Sequence, residues 1–322
     1  MRKLWRGVAS ALVASALAMF VAAGAQAQGA AAPAKDLVLR GDAKCTKCHD
    51  QDDNPALLDI SRTKHGVKAD ARTPTCTSCH GESESHINKP AGAAERPKPD
   101  RTFKRNDTHT TPAAQSEACT SCHKGGHLIQ WAGSAHERTQ TSCSSCHSVH
   151  VAKDQVLVRA TQAGVCYTCH KDVRAQTFAV SAHPIRQGVM SCSSCHAPHG
   201  SLSERFSLVK SSVNDTCYTC HAGKRGPFLW PHPPVVEDCG NCHNPHGTNI
   251  APMLNARSPY LCQQCHIIGQ HPNVLRSGNA LPSNTVGNLG NANTAYLVGQ
   301  ACANCHTKVH GSNHPSGNAF TR

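Results

Sequence analysis

The sequence holds 322 residues with a formal net charge of +12, 4% aromatic residues, 20 Cys and 23 His. So few aromatic side chains exclude an ordinary globular domain stabilised by its own apolar core, because the buried area could not offset the entropy of ordering the chain. The positive charge comes without basic runs interleaved with aromatics, which excludes a nucleic-acid binding protein.

The chain opens on a pattern that predicts an export signal over residues 1–27. Arg2, Lys3 and Arg6 form a basic head, an apolar stretch runs from Val8 to Ala23, and Ala25-Gln26-Ala27 is a small-residue cleavage site. The stretch is too short to favour a retained membrane anchor. Export would place twenty cysteines where disulfides form, but their spacing points elsewhere.

Every cysteine belongs to a Cys-x-x-Cys-His unit. In chain order the cysteine pairs are Cys45 and Cys48, Cys76 and Cys79, Cys119 and Cys122, Cys143 and Cys146, and Cys166 and Cys169. They continue as Cys192 and Cys195, Cys217 and Cys220, Cys239 and Cys242, Cys262 and Cys265, and Cys302 and Cys305. The unit is the attachment motif of c-type haem. A short helical turn puts both sulfurs and the imidazole on one side of the porphyrin, so that the thiols form thioethers and the His reaches the iron. Zinc sites and thiol redox sites also use Cys-x-x-Cys, but ten units each followed by His fit neither. The expected proximal ligands are His49, His80, His123, His147, His170, His196, His221, His243, His266 and His306. Ten haem discs then replace the missing apolar core. The expected fold is a multihaem cytochrome c, mostly irregular with short α-helices wrapped around an extended stack of ten haems and little or no β-sheet.

Thirteen further histidines exceed the ten needed for a second imidazole on every iron. Past the signal only Met190 and Met253 remain, so methionine cannot serve generally. Haem c with predominantly bis-His ligation is therefore expected, low in potential and with no open iron for substrate. The candidate distal ligands are His65, His86, His136, His150, His183, His199, His232, His246, His271, His310 and His314. Spacing does not choose between His310 and His314, and His109 and His127 fall outside the pattern.

That pattern is a repeat. A leading His, a motif, a trailing His and a second motif recur as His136, Cys143–His147, His150, Cys166–His170, then as His183, Cys192–His196, His199, Cys217–His221. The third copy is His232, Cys239–His243, His246, Cys262–His266, and a stretched earlier copy runs His65, Cys76–His80, His86, Cys119–His123. The trailing His lies three residues after the proximal one in the three compact copies. Three residues reach at most about 10 Å, too little to round a porphyrin, so it should serve a different haem, most simply the next in the chain. The leading His, seven to nine residues before its motif, has the reach to wrap its own haem. Residues 87–112 and 272–300 read as loops, and the chain divides into pentahaem halves over 28–181 and 182–322.

Beyond the motifs, the strings NDTCYTCH at 214–221, CHNPHG at 242–247, LCQQCH at 261–266 and HGSNHPSG at 310–317 resemble the periplasmic decahaem cytochromes of the MtrA/MtoA/DmsE type. The resemblance runs over nearly the whole mature chain. It implies two pentahaem halves in a staggered ribbon, held partly inside an outer-membrane β-barrel protein. Periplasmic or inner-membrane cytochromes would stand on one side, and an extracellular multihaem cytochrome is a further partner that it allows. A free periplasmic shuttle is the alternative. A nitrite- or hydroxylamine-type enzyme is a third reading, which the histidine surplus counts against.

The charge fits the same picture. Removing Arg2, Lys3 and Arg6 leaves +9, and ten ferric porphyrin centres with twenty ionised propionates bring the oxidised total to about −1. The basic residues balance propionates.

Overall fold

The computed structural model describes residues 35–203, 205–266 and 302–321. The expected export signal, the 272–300 loop and His271 lie outside the described residues. Within them secondary structure is short: the longest helices, Pro112–Thr120 and Arg159–Tyr167, have nine residues each. A two-residue antiparallel ladder pairs Trp230 with Ser312 and Pro231 with Gly311. No helix among the described residues is long and apolar enough to cross a membrane.

The reason for this irregularity is visible in what is buried. Among the described residues the buried apolar side chains are Leu39, Ile60, Ala163 and Leu208, whereas twelve buried residues are polar or charged. Four small apolar contributions at about 2 kcal/mol each cannot hold a chain of this length. The fold therefore needs its prosthetic groups as its core, as the composition implied.

Each attachment motif is one helical turn. The His amide donates to the carbonyl of the first Cys four residues earlier, at 3.1 Å for His49, 2.9 Å for His123 and His147, and 3.0 Å for His170. The same bond closes the motifs of His196, His221, His243, His266 and His306, and Cys76–His80 is itself a helix. An i to i+4 closure places residues i, i+3 and i+4 on one face, which is where two thiols and an imidazole must stand to meet one porphyrin.

Two local forms alternate along the chain, with the sites numbered from the N-terminus. From the third site onward, the odd-numbered motifs close helices: Pro112–Thr120, Arg159–Tyr167, Val213–Tyr218 and Tyr260–Gln263 each contain the first Cys. Thr111 caps the first of these by accepting from the Ala114 amide, with Pro112 at the first helical position, and Ser212 caps the third. The even motifs from the fourth onward sit in three-residue 3₁₀ turns, Cys143–Ser145, Cys192–Ser194, Cys239–Asn241 and Cys302–Asn304.

A polar side chain three or four residues before each odd-site Cys ties its helix to the following turn. Gln115 accepts from the Ser144 hydroxyl at 2.8 Å, Gln162 from the Ser193 amide at 2.9 Å, Asn214 from the Cys239 amide at 2.7 Å and Ser258 from the Cys302 amide at 3.2 Å. The motifs alone do not announce these clamps, although a polar residue three or four positions before the first Cys marks each of them in the sequence.

Candidate haem sites

The thiols show how the sites follow one another. No disulfide joins any of the cysteines. Cys45 is an electrostatic neighbour of Cys76, Cys119 of Cys143, Cys166 of Cys192, Cys217 of Cys239 and Cys262 of Cys302. These are the first cysteines of sites 1 and 2, 3 and 4, 5 and 6, 7 and 8, and 9 and 10. The second cysteines make the intervening links: Cys79 is an electrostatic neighbour of Cys122, Cys146 of Cys169, Cys195 of Cys220 and Cys242 of Cys265. Sites that are adjacent in sequence are thus adjacent in space, meeting alternately through their first and their second cysteines. Burial pushes the Cys76 thiol up to about 12, and burial likewise raises Cys79, Cys146 and Cys195.

The histidines pair across gaps. His49 faces His86 with ring centres 6.1 Å apart, His65 faces His123 at 6.0 Å, His80 faces His150 at 6.2 Å and His136 faces His170 at 6.1 Å. His147 faces His199 at 6.0 Å, His183 faces His221 at 6.2 Å, His196 faces His246 at 6.0 Å, His232 faces His266 at 6.0 Å and His243 faces His310 at 6.3 Å. The interplanar angle in these nine pairs ranges from 8° to 82° while the separation scarcely changes. Aromatic packing would couple distance to angle. A constant gap with free rotation is the signature of two rings on one axis with an atom between them.

The size of the gap is right for a metal. Two metal–imidazole bonds of about 2 Å, with each nitrogen about 1.1 Å from the centre of a ring whose bonds are about 1.33 Å, give roughly 6.2 Å. Ring orientation agrees. The Nδ1 of His80 donates to the Arg101 carbonyl at 2.9 Å, that of His196 to Phe206 at 2.8 Å and that of His243 to Pro252 at 3.0 Å. On the opposite rings, His86 donates to Pro97, His150 to Leu57, His136 to Pro198 and His183 to Pro245, at 2.7–2.9 Å. A carbonyl only accepts, so Nδ1 carries the proton and Nε2 keeps its lone pair for the gap. The Nδ1 of His232 turns toward the Val309 carbonyl, which raises its affinity for protons, but stops short of hydrogen-bond geometry and stays buried without a partner, as does Nδ1 of His49.

Electrostatics also favour neutral rings. His49, His65, His80, His199, His232, His246 and His310 all lie below the ordinary imidazole value, first because of burial and further because of the facing imidazole. Only the neutral ring can coordinate. Among the described residues no cluster of three or more His, Cys, Asp or Glu is arranged to hold a metal ion. The residues fit haem c: two thiols per site on one face and an imidazole on either side of an iron-sized gap.

The pairing differs from the sequence expectation in its direction. The trailing His was expected against the next haem, yet His150, His199 and His246 face His80, His147 and His196, two sites back. The leading His has the reach to wrap its own haem, but His136, His183 and His232 face His170, His221 and His266, the proximal residues of the following motif. The physical reason is the docking of successive repeats. The turns Pro198-His199-Gly200 and Pro245-His246-Gly247 press against the preceding copy, where a Cβ on Gly200 would come 2.0 Å from the Gln130 carbonyl and one on Gly247 2.5 Å from that of Gln176. From there the Pro carbonyl orients the earlier leading His and the trailing ring reaches back across it.

The remaining histidines separate cleanly. His310 faces His243, whereas the Nδ1 of His314 accepts from the Ser316 amide. His109 donates from Nε2 to the Pro99 carbonyl, and His127, in the turn Gly126–Leu128, faces none of the proximal rings described. Residues 87–112, read as a loop, carry no helix between Ile87, the last residue of the helix Glu84–Ile87, and Pro112, but act as a clamp, since Pro97 and Arg101 supply the carbonyls that orient His86 and His80. The loop's Asp100 also holds the Ser83 amide.

Comparison with known proteins gives a family and a relative. The doubled CXXCH motif family matches residues 136–175, 183–226 and 232–268, which are the three compact repeats. The multiheme cytochrome MtrA of Shewanella baltica (strain OS185) is 40% identical over 287 residues, covering 88% of this chain and 82% of that protein.

Proposed function

Since the chain belongs to the MtrA family of multihaem c-type cytochromes, we propose that it is a ten-haem electron relay whose irons each bind two imidazoles. Covalently bound haem c and multihaem electron transfer follow from that membership and the motifs. The number ten rests on the ten Cys-x-x-Cys-His units. His271 completes the tenth site by spacing: it precedes His306 by 35 residues, against 34, 38 and 34 for His136 and His170, His183 and His221, and His232 and His266.

The single observation that carries the reading is the set of nine imidazole pairs at 6.0–6.3 Å. When bound, haem c supplies a one-electron iron couple. The chain would do the rest: its thiols would hold each haem, the paired imidazoles would supply both protein ligands of the iron, and the nearness of consecutive motifs would set the order and spacing of the sites. Paired imidazoles leave no exchangeable position, so the protein carries electrons rather than transforming a substrate.

The location proposed is the periplasm, at the outer membrane. A bilayer core of about 30 Å is too wide for one electron transfer step, and a row of sites inside a wide barrel divides it. The partners are then an outer-membrane β-barrel protein, electron-carrying cytochromes on the periplasmic side and an extracellular multihaem cytochrome. The two halves, 28–181 and 182–322, would lie end to end, with His199 of the second facing His147 of the first and the Pro198 carbonyl holding His136.

Two measurements test this. Haem content per polypeptide should be ten, with a ferric electron paramagnetic resonance (EPR) spectrum that is low-spin throughout; a substrate-responsive high-spin iron would sink the bis-imidazole reading in favour of an enzyme. Solubilised outer membranes should yield the chain together with a large barrel protein, and recovery only as a free periplasmic protein would make it a shuttle.

A further inference from the structure

The three compact repeats place their even-site proximal rings in the same surroundings, with one exception. In the second and third repeats the chain returns antiparallel across the proximal His: His196 bridges to Leu208 and His243 to Leu254. The returning strand supplies the Phe206 and Pro252 carbonyls that accept from Nδ1. In the first repeat the Nδ1 of His147 instead meets a side chain, Asp154, whose Oδ2 lies at 2.8 Å. The Asp154 side chain is only 13% exposed. It is aimed by its own helix cap, because its other oxygen accepts from the Val156 amide at 3.4 Å as the turn Gln155–Leu157 begins. The sequence shows the same departure, since seven residues after the proximal His the second and third repeats carry Ser203 and Ile250.

We propose that Asp154 is a positioning residue that makes the fourth haem lower in potential than its counterparts at sites six and eight. A carboxylate accepting from Nδ1–H draws that proton toward itself and raises the basicity of Nε2, more than a neutral carbonyl does. A more strongly donating imidazole stabilises ferric over ferrous iron, so the reduced form is disfavoured. Burial strengthens the effect, because little water screens the carboxylate from the ring. Asp154 acts through His147 and touches no substrate, so it changes the energy of one step along the row without altering its order. The inference rests on the bis-imidazole assignment of His147 and His199.

The experiment uses the full ten-haem protein and Asp154→Asn, which keeps an acceptor at the same place without the charge. The area between wild-type and variant reductive titration curves sums the shifts of all haems, whichever one carries them. It should correspond to one haem whose reduced-to-oxidised ratio has risen about tenfold, or 59 mV for a one-electron couple. Glu95→Gln, which removes an exposed carboxylate from the 87–112 loop, is the control for bare loss of charge and should give only a small, salt-screened shift. In ferric EPR, Asp154→Asn should also displace the low-spin component of one haem in ten, and Glu95→Gln should displace none. Coincident titration curves for the two variants with an unmoved spectrum overturn the proposal. Should Asp154→Asn not assemble, the wild-type spectrum decides: it must contain a one-haem low-spin component displaced toward imidazolate-type ligation, and its absence overturns the proposal equally. A high-spin component in fully loaded wild-type protein would instead strike at the bis-imidazole reading.

Discussion

His310 and His314 lie four residues apart, and only the first has a ring across an iron-sized gap from another. Replacing His310 with Ala should therefore turn one low-spin haem in ten high-spin, whereas His314→Ala should leave the spectrum untouched; EPR of the two variants reads the difference. A second residue-scale feature is Asp42, which is fully buried and accepts from the amides of Leu37, Val38 and Leu39 at 2.6–2.9 Å. It gathers the segment before the first motif onto the turn that presents Cys45, whose amide donates to the Asp42 carbonyl. Asp42→Ala would strand three amides without their anion, at a cost of about 3 kcal/mol. Hydrogen exchange at residues 37–39 should rise accordingly while the remaining helices keep their protection.

At the scale of elements, the turn after each even motif and the helix before it do distinct jobs. The turn Pro245-His246-Gly247 supplies an axial ring opposite His196 and a carbonyl to His183. Gly247 adopts φ +129°, and an added Cβ would meet the Gln176 carbonyl at 2.5 Å and the Ala182 Cβ at 2.7 Å. Gly247→Ala should cost about 1–3 kcal/mol in strain and disturb two haems at once, the sixth through His246 and the seventh through His183. Gly223→Ala, where nothing lies within 4 Å, should disturb neither, and spin quantitation by EPR compares them. On the helix side, Asn214 is buried and holds the Val235 and Val236 carbonyls and the Cys239 amide. Asn214→Leu leaves those groups unpaired and should lower stability by about 2 kcal/mol, read as a lower midpoint in thermal unfolding followed at the haem absorbance with haem content unchanged.

For the whole molecule, the decisive quantity is the core that the polypeptide does not have. With Leu39, Ile60, Ala163 and Leu208 as the buried apolar residues described, the chain without haem should not fold. Expressed in a compartment lacking the haem-attachment machinery, it should give the circular dichroism of an unfolded chain; native-like helical signal there would show that the polypeptide has a core of its own. The same dependence explains why so many short elements suffice. Each needs only to present two thiols and a ring, and thioether bonds tie it to a disc many times the size of a side chain.

The sequence by itself determined the kind of chemistry: a haem c attachment motif written ten times, a surplus of histidines beyond those motifs, and sparse regular structure. Those properties are local, set by a five-residue spacing and by composition, so they survive without knowledge of the fold. It also placed His109 and His127 outside the ligand pattern, and the geometry of neither conflicts with that. Tertiary structure alone decided which ring faces which. A reach of three or nine residues bounds what a histidine can touch but not the direction in which the chain turns, and direction is set by repeats docking through Gly200 and Gly247. The same holds for Asp154 and the Gln115, Gln162, Asn214 and Ser258 clamps. Their partners lie on other elements, so their roles exist only once the elements have been brought together.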